Sequence, residues 1–324
     1  MIFTCLVYLP PVINILPPNN STISRAIENL NSGGLIGMPT ETVYGLGGDA
    51  ANEKAIANIF ALKIRPNFNP LIAHIENLDM ALKYGDFSNL ALLIANHFWP
   101  NPLSIVVPRK SDAKICDLAC AGLETLALRA PKHKIAQSII SEFGKAICAP
   151  SANISGQISP TSALHVAQDF GNKLPIIIDG GECEIGLEST VLAIFDDEIS
   201  LLRHGAIAID AIEKIAGKKV NIISLNDENA PKSPGMLLKH YSPNAPLFLN
   251  CDKASEGEIF IGFGANDGDF NLSSSGDLTE AAANLYKYLR LADNKSPKAI
   301  KIAQIPNYGI GMAINDRLFR AAQK

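Results

Sequence analysis

Side chains able to hold anions recur at the ends of apolar runs in this chain. The run 35–38 leads through Pro39 to Thr40, Glu41 and Thr42, and then to Gly45, Gly47 and Gly48. A strand, a hydroxyl-bearing rim and a glycine-rich turn describe either a ligand site or an ordinary strand-to-helix connection. Lys63-Ile64-Arg65-Pro66 follows a helical pattern carrying Ile56, Ile59 and Phe60, and Pro66 forbids further helix. Both cations therefore sit at or beyond a helix end, as complements to its dipole or as an anion site. Asn69-Pro70-Leu71 feeds a strand carrying His74, a core histidine or a site residue. In Thr125-Leu126-Ala127-Leu128-Arg129, alternation puts Thr125, Ala127 and Arg129 on one face. An arginine ending an apolar strand needs a carboxylate or phosphate, supplied by a ligand or by a structural ion pair. The loop 149–161, with Ala149, Ser151, Asn153 and Ser159, is dense in hydroxyls that can cradle phosphate or cap the next helix. Ser189 and Thr190 add a hydroxyl pair, Arg203 another strand-end cation, and Lys239-His240-Tyr241 a cationic, aromatic stretch.

Familiar nucleotide and hydrolase signatures are missing: GxxxxGK[ST], a complete dinucleotide fingerprint, HExxH, GxSxG and the kinase set. A phosphate site here must be assembled from scattered cations and hydroxyls. The six cysteines form no CxxC and have no histidines at zinc spacing, so they read as buried reduced thiols and no metal site is expected.

The elements that must position these groups alternate between helical and extended patterns. At 324 residues, two domains are expected, and 47% hydrophobic with 19% charged residues suits packed cores. A net charge of −4 leaves no global basic field for nucleic acid, though a local groove is compatible with it. The apolar start lacks a basic segment and is broken by Pro10, Pro11, Pro17 and Pro18, which argues against a signal peptide; its first eight to ten residues read as a loose extension. No run is long enough for a membrane span, so the chain reads as cytoplasmic. The pattern describes an α/β domain over 12–223 with a largely buried, mixed sheet, and a breaker-rich linker over 224–245. A smaller α/β domain follows over 246–324, with a helix whose stripe is Leu278, Ala281, Ala282, Leu285, Tyr288 and Leu289.

Taken together, the chain resembles the Sua5/YrdC family, specifically its two-domain Sua5 type. The resemblance rests on PTETVYGLG from Pro39, KxRPxxxPL from Lys63, TxxxR at Thr125, APSANxSGxxSPT from Ala149, GLESTV from Gly186, LRxG from Leu202, SPGMxxxHYSP from Ser233 and AINDRLxRAA from Ala313. The eight motifs occur in order, and the resemblance covers about Val12 to Ala322. The resemblance implies a YrdC-like twisted mixed sheet with flanking helices and a smaller Rossmann-like C-terminal domain. It implies synthesis of L-threonylcarbamoyladenylate from L-threonine, bicarbonate or CO2 and ATP, with release of diphosphate and water. A downstream transferase complex then passes the threonylcarbamoyl group to adenosine 37 of tRNA.

Carried over by motif, Thr40, Thr42, His74, Arg129, Ala149 and Ser189 would hold threonine, with Arg129 on its carboxylate. Lys63, Arg65, Asn69, Thr125, Ser151, Asn153, Ser159 and Arg203 would hold ATP, with Lys63 and Arg65 neutralising charge at the reacting phosphate and Tyr241 closing over the nucleotide. Mg2+ is expected on the diphosphate moiety, although no carboxylate cluster marks a protein ligand. Glu41 and Tyr44 receive no role. Two alternatives stand beside the enzyme: an RNA-binding module, against which the acidic pI argues, and a carbamoyl-transfer enzyme of the hydrogenase-maturation type, whose cysteine pairs are absent.

Overall fold

The computed structural model describes residues 14–223 and 240–323. The segment 224–239, most of the expected linker, and the N-terminal extension lie outside them.

The N-terminal unit begins with β1 (Ile15–Leu16), α1 (Asn20–Asn31), β2 (Ile36–Met38), β3 (Gly45–Asp49), α2 (Glu53–Lys63) and β4 (Ile72–His74). It continues through α3 (Leu78–Ala81), α4 (Asn89–Phe98), β5 (Leu103–Pro108), β6 (Thr125–Arg129), α5 (Lys134–Phe143) and β7 (Ile147–Cys148). Then come α6 (Ala163–Phe170), β8 (Ile177–Ile178), β9 (Thr190–Phe195), β10 (Glu198–Arg203), α7 (Ile209–Ala216) and β11 (Asn221–Ile222). Side-chain caps start several helices: Asn19, Asn52, Ser88 and Ser162 each accept from a backbone amide three residues on.

The strands form one mixed sheet in the order β1-β8-β2-β3-β7-β4-β6-β5-β9-β10-β11. Alternation sorts its side chains. Ala73, Leu126, Leu128, Ile105 and Leu192 join the main core with the helices, whereas Ile72, Ala127, Val106, Val191 and Ala193 form a small separate cluster on the other face. Helices thus cover one face and leave part of the other for a site.

Two sequence expectations are corrected here. Gly45, Gly47 and Gly48 are not a turn but the buried strand β3, antiparallel to β2. A Cβ at Gly45 would lie 2.9 Å from that of Ala149, and one at Gly48 would lie 2.9 Å from Leu35 Cδ2, so glycine here serves close packing. The turn is the preceding stretch 39–44, where Thr40 Oγ1 donates to Val43 O at 2.6 Å. The helix α7, absent from the sequence reading, follows β10 and buries Ile212 alone among its residues.

The C-terminal unit contains β12 (Leu247–Phe248), β13 (Ile259–Gly262), β14 (Phe270–Asn271), α8 (Leu278–Asp293), β15 (Ile300–Ile302) and α9 (Gly311–Ala321). Its parallel sheet runs β12-β15-β13-β14. On α8 the central buried tyrosine is Tyr286, not Tyr288, because a 3.6-residue period carries the stripe from Ala282 to Tyr286; Tyr288 is half-buried, stacked on Phe270. The second core takes in Val43, Ile158 and Leu187 of the first unit together with Tyr241. Arg290 of α8 reinforces the contact with paired bonds to Asp169 at 3.0 and 2.6 Å.

Candidate active site

The less covered face of the sheet holds a cleft. Among the described residues it is lined by Thr40, Thr42, Val43, Gly45, Arg65, Pro70, Leu71, Ile72, His74, Arg129, Ala149, Pro150, Ser151, Glu188, Ser189, Arg203, His240 and Tyr241. Parallel pairing of β4 and β6 sets His74 opposite Arg129 at the ends of their strands. Arg129 Nη2 donates to Glu41 Oε1 at 2.7 Å, and both side chains are buried. The pair is incompletely satisfied, since Glu41 Oε2 and Arg129 Nε have no hydrogen-bond partner in the structure. Burial, with help from Arg129, lowers His74 to about 3, so its ring is neutral at physiological pH. Its Nδ1 is also unpartnered. Such groups are costly when buried and point to a polar ligand or water as their partner.

Arg203, at the end of β10, defines the opposite wall. Its Nε donates to Ser189 O and its Nη2 to Ser189 Oγ, both at 3.1 Å, while Ser189 Oγ lies 2.8 Å from Ser104 Oγ behind it. Ile64 ends α2 in the left-handed region (φ 52°), turning Arg65 back toward the start of β4. There Arg65 Nε donates to Asn69 O at 3.3 Å and Nη2 to Pro70 O at 3.2 Å. Burial first, then Arg203, brings Arg65 down to about 10, which leaves it charged at neutral pH.

Ten residues singled out from the sequence meet at this cleft: Thr40, Thr42, Arg65, His74, Arg129, Ala149, Ser151, Ser189, Arg203 and Tyr241. Five others, Lys63, Asn69, Thr125, Asn153 and Ser159, do not line it. Lys63, expected at a phosphate, is buried, and its Nζ donates to Ser151 O at 2.5 Å and Asn153 O at 2.6 Å. Burial pulls its pKa well below the usual lysine range, with Arg65 adding to the effect. Lys63 thus clamps the 151–153 loop from behind. Asn153 Nδ2 ties the same loop through the carbonyls of Ile154 and Gln157. Asn69 is buried with neither amide atom bonded. Thr125 starts β6 opposite Pro108 and is half-buried.

Ser159 leads to a feature the sequence does not disclose. Its Oγ donates to Glu188 Oε1 at 2.6 Å, while Tyr286 Oη and Arg317 Nε donate to Glu188 Oε2 at 3.0 and 2.8 Å. Burial alone would raise the Glu188 pKa, but Arg317, then Arg203 and the hydrogen bonds, hold it at about 2. Tyr241 is buried, with its backbone in the left-handed region (φ 65°). Its ring stacks on Tyr286 at 5.7 Å and receives Arg317 at 5.2 Å. Glu41, Glu188, Tyr286 and Arg317 are therefore site residues missed from the sequence, while His240, noted there only within the stretch 239–241, lines the cleft beside Tyr241. Glu188 and Arg317 lie within GLESTV and AINDRLxRAA, but they are 129 positions apart and nothing in either motif announces the other.

The described residues contain no group of three or more histidines, cysteines or carboxylates placed to hold a metal. Glu188 is the one carboxylate among the described lining residues, and its oxygens are already committed. The five described cysteines are free, and Cys116, Cys120, Cys148 and Cys183 are buried. No helix among the described residues is long and apolar enough to cross a membrane.

Residues 28–205 match the family model of Sua5, YciO and YrdC, described as telomere recombination, and residues 207–323 match the C-terminal domain of threonylcarbamoyl-AMP synthase. The chain belongs to the Sua5/YrdC family. This Sua5-type chain is 38% identical to threonylcarbamoyl-AMP synthase of Bacillus subtilis over 96% of both proteins. It is 39% identical to the Pyrococcus abyssi enzyme of that name, over 90% of this chain and 92% of the relative. The crystal structure of P. abyssi Sua5 complexed with L-threonine superposes with a TM-score of 0.87 at 35% identity, covering 95% of this chain and 97% of that one. Escherichia coli YciO, at 20% identity and a TM-score of 0.55 over 61% of this chain, shares the fold of the first unit.

Proposed function

We propose that this chain is a threonylcarbamoyl-AMP synthase that joins L-threonine, bicarbonate or CO2 and ATP. The observation that carries the reading is a single cleft with two unlike walls. One wall presents Arg129 with part of its hydrogen-bonding capacity unfilled, beside a neutral His74. The other presents Arg65, Ser151 and Arg203, and among the described residues neither wall holds a cysteine or serine paired with a basic histidine. Full-length relatives named for the reaction support the same conclusion.

In this reading Arg129 takes the threonine carboxylate, and Thr40, Thr42, His74, Ala149 and Ser189 shape the pocket for its side chain and amine. The amine adds to the carbon of CO2 and loses a proton, giving a carbamate; starting from bicarbonate, the step also releases water. A carbamate oxygen then attacks the α-phosphorus of ATP, and the bond to the β-phosphate oxygen breaks to free diphosphate. Arg65, Ser151 and Arg203 stabilise the charge that moves onto the leaving group, and Tyr241 with His240 keeps water from the labile carbamate. Lys63, Asn153 and Ser159 serve ATP indirectly by holding the walls, and Asn69 and Thr125 sit at the margin of the nucleotide region. Mg2+ would arrive on the ATP phosphates, because Glu188, the one carboxylate among the described lining residues, is already committed.

The catalytic domain would span 12–223, the linker and lid 224–245, and the C-terminal domain 246–324. The product would feed a cytoplasmic transferase that modifies tRNA. Direct tRNA binding is not needed for the synthesis step, and the net charge of −4 does not favour it. The test is diphosphate release from ATP and bicarbonate with and without L-threonine. Release that depends on threonine is expected; threonine-independent release would sink the reading.

A further inference from the structure

We infer that Arg317, on the last helix of the C-terminal unit, is a positioning residue that holds Arg203 in register at the nucleotide wall. The inference rests on the functional reading above and adds a second-unit residue to it.

One guanidinium grips the segment that carries Arg203 and the neighbouring segment to which Arg203 is bonded. Arg317 Nε donates to Glu188 Oε2 and Nη2 to His204 O, each at 2.8 Å. Glu188 immediately precedes Ser189, and His204 immediately follows Arg203. Arg203 and Ser189 are in turn bonded to each other. The two segments touch through backbone: a Cβ at Gly205 would lie 2.1 Å from Thr190 N, so only glycine fits there. Arg317 is itself aimed from its far side by Asp316, bonded to Nη1 at 2.6 Å, and its face lies on Tyr241. Every nitrogen of this buried guanidinium thus has a bond that fixes its orientation.

A docking role alone does not call for this arrangement. A buried ion pair is offset by the cost of desolvating both charges, and apolar residues of similar volume join surfaces at least as well. The interface already has such residues in Val43, Ile158 and Leu187 packed with Leu285 and the rest of the second core. What the polar knot adds is fixed geometry at Arg203, and misplacing a charge-stabilising group by about 1 Å can cost on the order of a hundredfold in rate. The second unit is then part of the site, not an appendage to it.

The test compares the full chain with the double variant Arg317→Met/Glu188→Gln, which removes the ion pair but leaves an amide oxygen able to accept from Ser159 or Tyr286. Arg317→Lys is studied in parallel, since it keeps the charge but cannot make both bonds in the same geometry. Calorimetric Kd values for ATP and for L-threonine are measured beside kcat and KM, with melting temperature as the fold control. Expected is a folded double variant whose ATP Kd and KM rise by roughly tenfold or more, with threonine binding changed by less than about threefold. Arg317→Lys should shift the same constants in the same direction, and should add little in an Arg203→Lys background because both act through one group. Unchanged ATP constants in a folded variant, or equal losses for both substrates, would overturn the inference; if the double variant does not fold, Arg317→Lys decides by the same criteria. A parent chain that binds ATP yet shows no threonine-dependent diphosphate release would fail the functional reading, and the Kd values would still judge this one.

Discussion

Two buried arginine–glutamate pairs face the same cleft, and they are built to opposite standards. Glu188 accepts from Ser159, Tyr286 and Arg317, while Arg317 also reaches Asp316 and His204 O. In the other pair, Arg129 and Glu41 share one bond of 2.7 Å, and each retains a buried polar atom with no partner. A saturated pair has nothing left to offer a ligand and can only hold shape. An under-satisfied pair carries a standing desolvation cost that an incoming polar group relieves. The contrast separates scaffold from receptor more sharply than residue type does, since both pairs use the same two side chains.

The largest expected effect breaks the saturated pair. Arg317→Met alone strands Glu188 as a buried charge and should destabilise the fold by about 3–5 kcal/mol, read as a fall in melting temperature or denaturant midpoint. Recovery of most of that loss in the Glu188→Gln double variant would confirm that the stranded charge is the cause. The under-satisfied pair should respond at the ligand instead. Arg129→Ala should raise the threonine KM by roughly ten- to a hundredfold, the equivalent of about 1.5–3 kcal/mol for a charge-assisted bond, with a smaller change for ATP. Equal losses for both substrates would erase the distinction between the walls.

Acid should reveal the neutral histidines. Burial holds His74 and His240 at about 3 in the folded chain, below the unfolded value of about 6.5. The unfolded chain therefore binds more protons, and stability present above pH 6.5 is lost as pH falls toward 3, by about 1.4 kcal/mol per unit for each ring. Glu188, held at about 2, adds its own loss between about pH 4.5 and 2. Denaturant titrations at pH 7.5, 6.5 and 5.5 check the sign, and His74→Asn should flatten the slope. The smallest effect is expected for Ser104→Ala, which removes only the bond behind Ser189; about 1 kcal/mol of stability should go, with threonine KM changed by less than threefold.

Local pattern made part of this legible. Alternation in Thr125–Arg129 correctly puts Leu126 and Leu128 in the main core and sends Ala127 to the opposite face. Hydroxyl-rich strand ends and the stripe of α8, its tyrosine apart, are readable for the same reason: each depends on neighbours a few positions away. Three things are not. Gly45, Gly47 and Gly48 carry the composition of a turn, and only their partners Leu35, Ile36 and Ala149 show why a strand needs them. Lys63 ends a helix, where a lysine can turn outward or inward, and the carbonyls of Ser151 and Asn153 decide it. The knot around Glu188 joins segments 129 positions apart, beyond the reach of any spacing rule.

The most direct measurement supplies 13C-labelled bicarbonate with ATP and L-threonine and identifies the nucleotide product by mass spectrometry. A product containing AMP, threonine and the labelled carbon together is predicted. Threonyl-AMP without the label, or AMP formed with no threonine attached, would contradict the account.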